Sequence, residues 1–169
     1  MTALVVLVAL LAPPVACPPG SEPRGAGPPE GFEAWCEGRD VAGRPRREGP
    51  ARSWYDDGAP WVEESFHEGE RDGRFVERHR NGAVAREGAF RRGRKHGTWT
   101  VRSESGARLE ESTFRDGVPD GPFAAWHASG ALRTKGRHCG GAQCGVWRTF
   151  DESGREIGRV EYGEQRFTP

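Results

Sequence analysis

Residues 97–120 read GTWTVRSESGARLEESTFRDGVPD, and this stretch decides the fold. A short run with Trp99 in it leads to a polar turn, SESG, ending at Gly106. About eight residues follow, closing near Phe114, and a second glycine turn at Gly117 leads on to Gly121. Glycine reaches positive φ without a steric penalty, so such turns reverse the chain cheaply. The reading is one β-hairpin. The same pattern then recurs along the chain. Gly49, Gly73, Gly97, Gly121 and Gly145 are spaced by 24 residues, as are Gly58, Gly82, Gly106, Gly130 and Gly154, and likewise Gly69, Gly93, Gly117 and Gly141. The turns DDG, RNG, ESG and ASG precede the second series. Asp57-Gly58 and Asn81-Gly82 are the strongest hairpin signals among them.

Aromatic residues share this register. Phe75, Trp99, Phe123 and Trp147 stand two places after the first glycine. Phe66, Phe90, Phe114 and Tyr162 form a second column, with His138 in its fourth place. A lone hairpin is marginal in water. Neighbouring hairpins would align these rings into a continuous apolar strip, each ring burying on the order of 150–250 Å². The expected fold is all-β, an elongated array of five 24-residue antiparallel β-hairpin repeats behind a disordered N-terminal spacer. The predicted units are 49–72, 73–96, 97–120, 121–144 and 145–163. Residues 32–48, including Phe32 and Trp35, are read as an N-terminal cap, and 164–169 as a C-terminal tail.

The composition agrees. Among 169 residues there are 25 Gly, 13 Pro and 16 aromatics (6 Trp, 2 Tyr, 8 Phe), against an apolar fraction of 34%. After Cys17 the only Leu and Ile residues are Leu109, Leu132 and Ile157. That excludes a helix-rich enzyme core, a doubly wound sheet and a polytopic membrane protein. What remains is disorder or a thin β structure.

The unit G-x-[aromatic]-x₆-G-x₇-[aromatic]-x₂-G resembles MORN-type repeats, specifically the bacterial MORN-variant class. That class includes YwqK-like antitoxins and many bacterial lipoproteins. The resemblance covers 49–163 and is sharpest at Gly97-Thr98-Trp99 through Gly106 and at Gly145 through Gly154. Arg78 and Arg102 depart from it, standing where Trp54, Trp126 and Phe150 stand in other units. The resemblance implies a curved sheet of antiparallel hairpins, a scaffolding or binding role, and no catalysis.

The N-terminus reads as an address. Residues 3–12 (ALVVLVALLA) form an apolar run too short to cross a bilayer, which takes roughly 20 residues, but of signal-peptide length. Residues 1–17 are therefore expected to be a leader, with Cys17 as the lipid attachment site of a bacterial lipoprotein. Residues 18–31, rich in Pro and Gly, would be an unpacked linker. A chain exported this way can hold disulfides. Cys139 and Cys144 flank a four-residue turn and are expected to pair. Cys17 with Cys36 is the alternative if Cys17 carries no lipid.

Charge sums to +0 but is segregated. Residues 53–70 hold six acids and no Lys or Arg, whereas 71–102 hold ten bases and three acids. The turn with Arg91, Arg92, Arg94 and Lys95 could meet an acidic polymer, anionic lipid or the neighbouring acidic unit. Trp54 and Trp126 are further candidate binding residues. His79 and His127 occupy one repeat position two units apart, a solvated strand position or a pH-responsive face. Neither catalytic nor metal residues are assigned, and no cofactor is expected. The expected function is non-enzymatic: an envelope-anchored repeat protein presenting a β surface to a protein or envelope polymer. It would touch the membrane only through its lipid and would not bind nucleic acid. A YwqK-like antitoxin or immunity role, and carbohydrate or choline-type binding through surface aromatics, are the alternatives.

Overall fold

A computed structural model describes residues 15–163. The apolar run at 3–12 and the tail at 164–169 lie outside the described residues. The described chain is all-β. Its strands are β1 (Glu22–Ala26), β2 (Glu33–Arg39), β3 (Pro45–Trp54), β4 (Pro60–His67), β5 (Glu70–Arg71), β6 (Gly73–Arg78), β7 (Val84–Arg91), β8 (Arg94–Arg102), β9 (Arg108–Arg115), β10 (Val118–Trp126), β11 (Leu132–Cys139), β12 (Ala142–Phe150) and β13 (Glu156–Tyr162). They make one open antiparallel sheet in which each strand pairs with its neighbours in sequence. The short β5 pairs with β4 as a forerunner of β6.

The two rims of the sheet use different turns. On one rim the connections 55–59, 79–83, 103–107, 127–131 and 151–155 are closed identically. Tyr55 N–H donates to Ala59 O at 2.9 Å and Gly58 N–H to Tyr55 O at 3.0 Å; the pairs around Gly82, Gly106, Gly130 and Gly154 match. Gly58 and Gly82 both sit at φ +84°, which a Cβ would resist. The other rim has two-residue turns at Glu68-Gly69, Arg92-Gly93, Asp116-Gly117 and Gly140-Gly141, with φ positive at both positions. That is the type I′ geometry that suits the twist of paired strands. The tightest reversals therefore lie opposite Asp57-Gly58 and Asn81-Gly82, the strongest hairpin signals in the sequence. At those two sites Asp57 and Asn81 instead accept hydrogen bonds from the N–H of Ala59 (2.9 Å) and Ala83 (3.0 Å).

Both rims are also tied along the array. Gly69, Gly93, Gly117 and Gly141 donate their N–H to the carbonyls of Arg47, Arg71, Lys95 and Pro119 at 2.8–3.0 Å. On the opposite rim Tyr55 Oη donates to Arg78 O (2.7 Å), and the Nε2 atoms of His79 and His127 meet the carbonyls of Arg102 (3.0 Å) and Phe150 (2.9 Å). The two histidines thus fasten one turn to the next.

The buried apolar set is small: Val15, Ala34, Cys36, Ala51, Val76, Ala85, Trp99, Ala125, Cys144 and Trp147. The aromatic columns supply much of the remaining packing. Phe75, Phe90 and Trp99 meet at centroid distances of 5.0–5.5 Å. Forty-eight residues on, Phe123, His138 and Trp147 repeat that triad at 5.0–5.6 Å, and Tyr162 continues it. Edge-to-face and tilted pairs of this kind add to the burial energy of the rings.

The N-terminal region departs from expectation. Residues 22–26 of the expected linker form β1, in register with β2 from Glu22↔Glu37 to Ala26↔Glu33. The expected cap at 32–48 is mostly β2 and the start of β3, two full members of the sheet. Phe32 itself is exposed, and its carbonyl accepts the N–H of Trp54 at 2.9 Å. At Cys17, the expected lipid attachment site, the sulfur is bonded to Cys36, which is the pairing expected where Cys17 carries no lipid. Val15, Ala34 and Cys36 form a buried cluster against which Cys17 and Trp54 pack. Cys139 and Cys144 are joined as well, across the Gly140-Gly141 turn.

Candidate functional site

Alternation along a strand puts every second side chain on one face. In β6 that places Phe75 and Glu77 together; in β4, Val62 and Glu64; in β7, Arg86 and Phe90. With Lys95 and Trp99 from β8 they line a groove of about 520 Å³, which reaches Arg47 and Ser53 of β3 and Glu33 of β2. Trp61, 41% exposed, stands at its side and stacks on Tyr55 with centroids 5.6 Å apart. The floor is aromatic, and the walls carry charge of both signs.

Those charges are held in place. Arg71 Nε pairs with Glu64, and Arg86 Nη2 lies 2.8 Å from Glu77 Oε2. Arg71 also stands over Phe90 at 5.4 Å, and Arg47 over Trp35 and Phe66 at 5.0 and 5.2 Å. Lys95 Nζ lies 4.4 Å above Trp99 and 5.0 Å from Phe114. Cation–π contacts of this kind are attractive even near solvent. The groove thus sets guanidinium, ammonium and carboxylate groups over partly buried aromatic rings, which suits an extended polar chain rather than a small apolar ligand.

The basic turn is divided by the fold. Arg91 pairs with Asp116 (2.9 Å), and Lys95 is committed to Trp99 and Phe114. The Arg94 stem runs past Gly117. Arg91, Arg92 and Arg94 border an open hollow with Glu70 and Asp116, so the turn is a mixed-charge surface. Part of the segregated charge pairs across neighbouring strands and turns. Arg78 approaches Glu63 at 3.6 Å, and Arg80 meets Asp56 at 2.6 Å and Asp57 at 3.1 Å. Arg80 draws the Asp56 carboxyl below its ordinary pKa through that hydrogen bond.

Trp54 and Trp126 are not brought together. Trp54 packs on the Cys17–Cys36 cluster, and Trp126 lies under Arg108 at 4.9 Å. The departures at Arg78 and Arg102 have a local reason. Each guanidinium donates to a carbonyl of its own turn, Gly82 O at 3.2 Å and Gly106 O at 3.4 Å. His138 meets both Phe123 and Trp147 edge to face. Among the described residues no cluster of three His, Cys, Asp or Glu is placed to hold a metal ion.

Two residues of this face escaped the sequence reading. Gly88 and Gly136 belong to none of the three glycine series, yet each lies beneath a tryptophan, Trp99 and Trp147. The indole Nε1 atoms donate to Ala89 O and Arg137 O, both at 3.1 Å. A signal existed: each glycine precedes its Trp by 11 residues, and where the column holds Phe123 the matching place is Ser112.

No family model matches the chain, and no curated protein matches it. The fold defines its class: an open antiparallel meander in one sheet, with an aromatic groove on one face.

Proposed function

We propose that the protein is an exported, non-enzymatic repeat protein of five MORN-like 24-residue units, and that its groove binds a protein segment or an envelope polymer. The groove from Trp61 to Trp99 carries this reading. Its aromatic floor is lined by guanidinium and carboxylate groups already oriented by their own pairs, so little side-chain entropy remains to be lost on binding. The two disulfides suit an oxidising compartment. Retention at a membrane through Cys17 would require the Cys17–Cys36 bond to be absent, so the proposal rests on export and binding, without the lipid.

The test is a crosslinking pull-down from envelope fractions with the wild type, Trp61→Ala and Arg86→Glu. A partner captured by the wild type and lost from both variants supports the groove. Identical capture by all three, or none by the wild type, rejects it.

A further inference from the structure

The two ends of the sheet are not alike. β1 is guarded in the manner of natural edge strands. It carries Pro23, which cannot donate to a further strand, and its Arg24 is paired with Glu37 at 3.2 Å and Glu22 at 3.5 Å. β13 has no proline, and it exposes Ile157 (60%), Val160 (50%) and Tyr162 (38%). Among the described residues it pairs only with β12.

Its charges are also left over. Arg159 lies opposite Arg148, a like charge, and Arg148 is itself directed to Glu156 at 3.7 Å. Glu161 lies opposite Val146. Neither Arg159 nor Glu161 has an ion-pair partner among the described residues. Like charges facing each other across a ladder are destabilising, and opposite charges there are stabilising.

We propose that β13 is a self-association edge, where a second copy of this chain adds antiparallel about a two-fold axis at Val160. Symmetric pairing centred on residue 160 sets Arg159 opposite the second copy's Glu161, and Glu161 opposite its Arg159. Each of the two unpaired charges then gains one partner, in two symmetry-related pairs. Val160 meets its own symmetry mate, and Tyr162 falls opposite a glycine, Gly158. Moving the centre by one residue to 159 puts Arg159 against Arg159, and moving it to 161 puts Glu161 against Glu161. The centre at 160 joins the aromatic columns of both copies through the paired valines, and a symmetric, isologous contact closes at two copies. This interface is independent of the groove on β2–β8.

The experiment is sedimentation equilibrium of the full oxidised chain over a concentration series reaching about 1 mM, since one short edge supports only weak association. The wild type is expected to dimerise. Arg159→Glu sets carboxylate against carboxylate at both symmetry-related pairs, and Glu161→Arg sets guanidinium against guanidinium there. Each should weaken the dimer about tenfold or more, because two pairs change from attraction to repulsion. The double reversal, Arg159→Glu with Glu161→Arg, recreates opposite pairs and should restore the wild-type constant. A wild type that stays monomeric throughout overturns the proposal. So does a dimer that ignores the single reversals, or one that the double reversal does not rescue. Folding of the six C-terminal residues onto this edge would appear as the monomeric outcome.

Discussion

Trp99 lies over the bare Cα of Gly88, and a Cβ built on that glycine would collide with the bridging carbons of the indole. Trp147 stands in the same relation to Gly136. Neither glycine has a positive φ, so the requirement is steric and set by the ring above. Both tryptophans are buried, at 5% and 8% exposure, and both anchor an aromatic triad. Gly88→Ala should therefore cost about 1–3 kcal/mol by over-packing. Adding Trp99→Phe should return part of that loss, because the smaller ring leaves space. Urea unfolding of the wild type, both single variants and the double variant measures the coupling; purely additive losses would count against a steric origin.

Lys95 belongs to the basic turn, yet its ammonium is stacked above Trp99 and Phe114. Lys95→Ala should lower stability by about 1 kcal/mol, the scale of an exposed cation–π contact. Arg92→Ala, whose side chain borders the open hollow, should change stability by less than about 0.5 kcal/mol. Thermal unfolding of the two variants side by side makes the comparison.

The disulfides close loops of different length, with sequence separations of 19 for Cys17–Cys36 and 5 for Cys139–Cys144. Chain entropy alone makes them worth about 3 and about 2 kcal/mol. Replacing each pair by serine should preserve that order in chemical denaturation. Intact mass under non-reducing conditions should show two disulfides and no acyl group. A lipid-modified Cys17 would appear as added mass and a free Cys36.

Acid and base act on different parts of the rims. The hydrogen bond that His67 Nδ1 donates to Glu48 Oε1 (2.8 Å) raises the pKa of His67. The stability this pair contributes is fully present below the ordinary histidine pKa and is lost as pH rises through the raised value. Asp40 and Asp151 are shifted down. The backbone N–H of Arg44 leads at Asp40, and the Ser153 hydroxyl followed by the Arg155 N–H at Asp151. Their contributions are present above the ordinary Asp pKa and disappear as pH falls through the lowered values. An NMR titration of His67 should show its pKa fall in Glu48→Gln; an unchanged value would remove Glu48 as the cause.

Much of the sheet was legible in the chain because Gly58, Gly82 and their equivalents meet a local need for positive φ, and local needs leave a fixed mark. The aromatic columns were legible because alternation fixes which face a residue takes. Gly88 and Gly136 were hidden because their constraint comes from a ring across the ladder. At the I′ turns, Glu68, Arg92 and Asp116 take φ of 49–54°, where Arg92 and Glu68 give no local signal. β1 was missed because its composition is that of a linker; its strand conformation comes from the pairing offered by β2. The groove was missed as a unit because its lining comes from several strands, each carrying only a few of its residues.

The rim ties reach no further than the adjoining turn: Tyr55 to Arg78, His79 to Arg102, Gly93 back to Arg71. Strand pairing is equally short in reach, since the sheet order follows the chain order. Most β proteins fold slowly because distant segments must find each other before any contact repays the loop entropy. This sheet has no such search to make. Each hairpin can form on the one before it, so the chain should reach its native state much faster than a Greek-key sandwich of similar length, growing outward from whichever hairpin closes first.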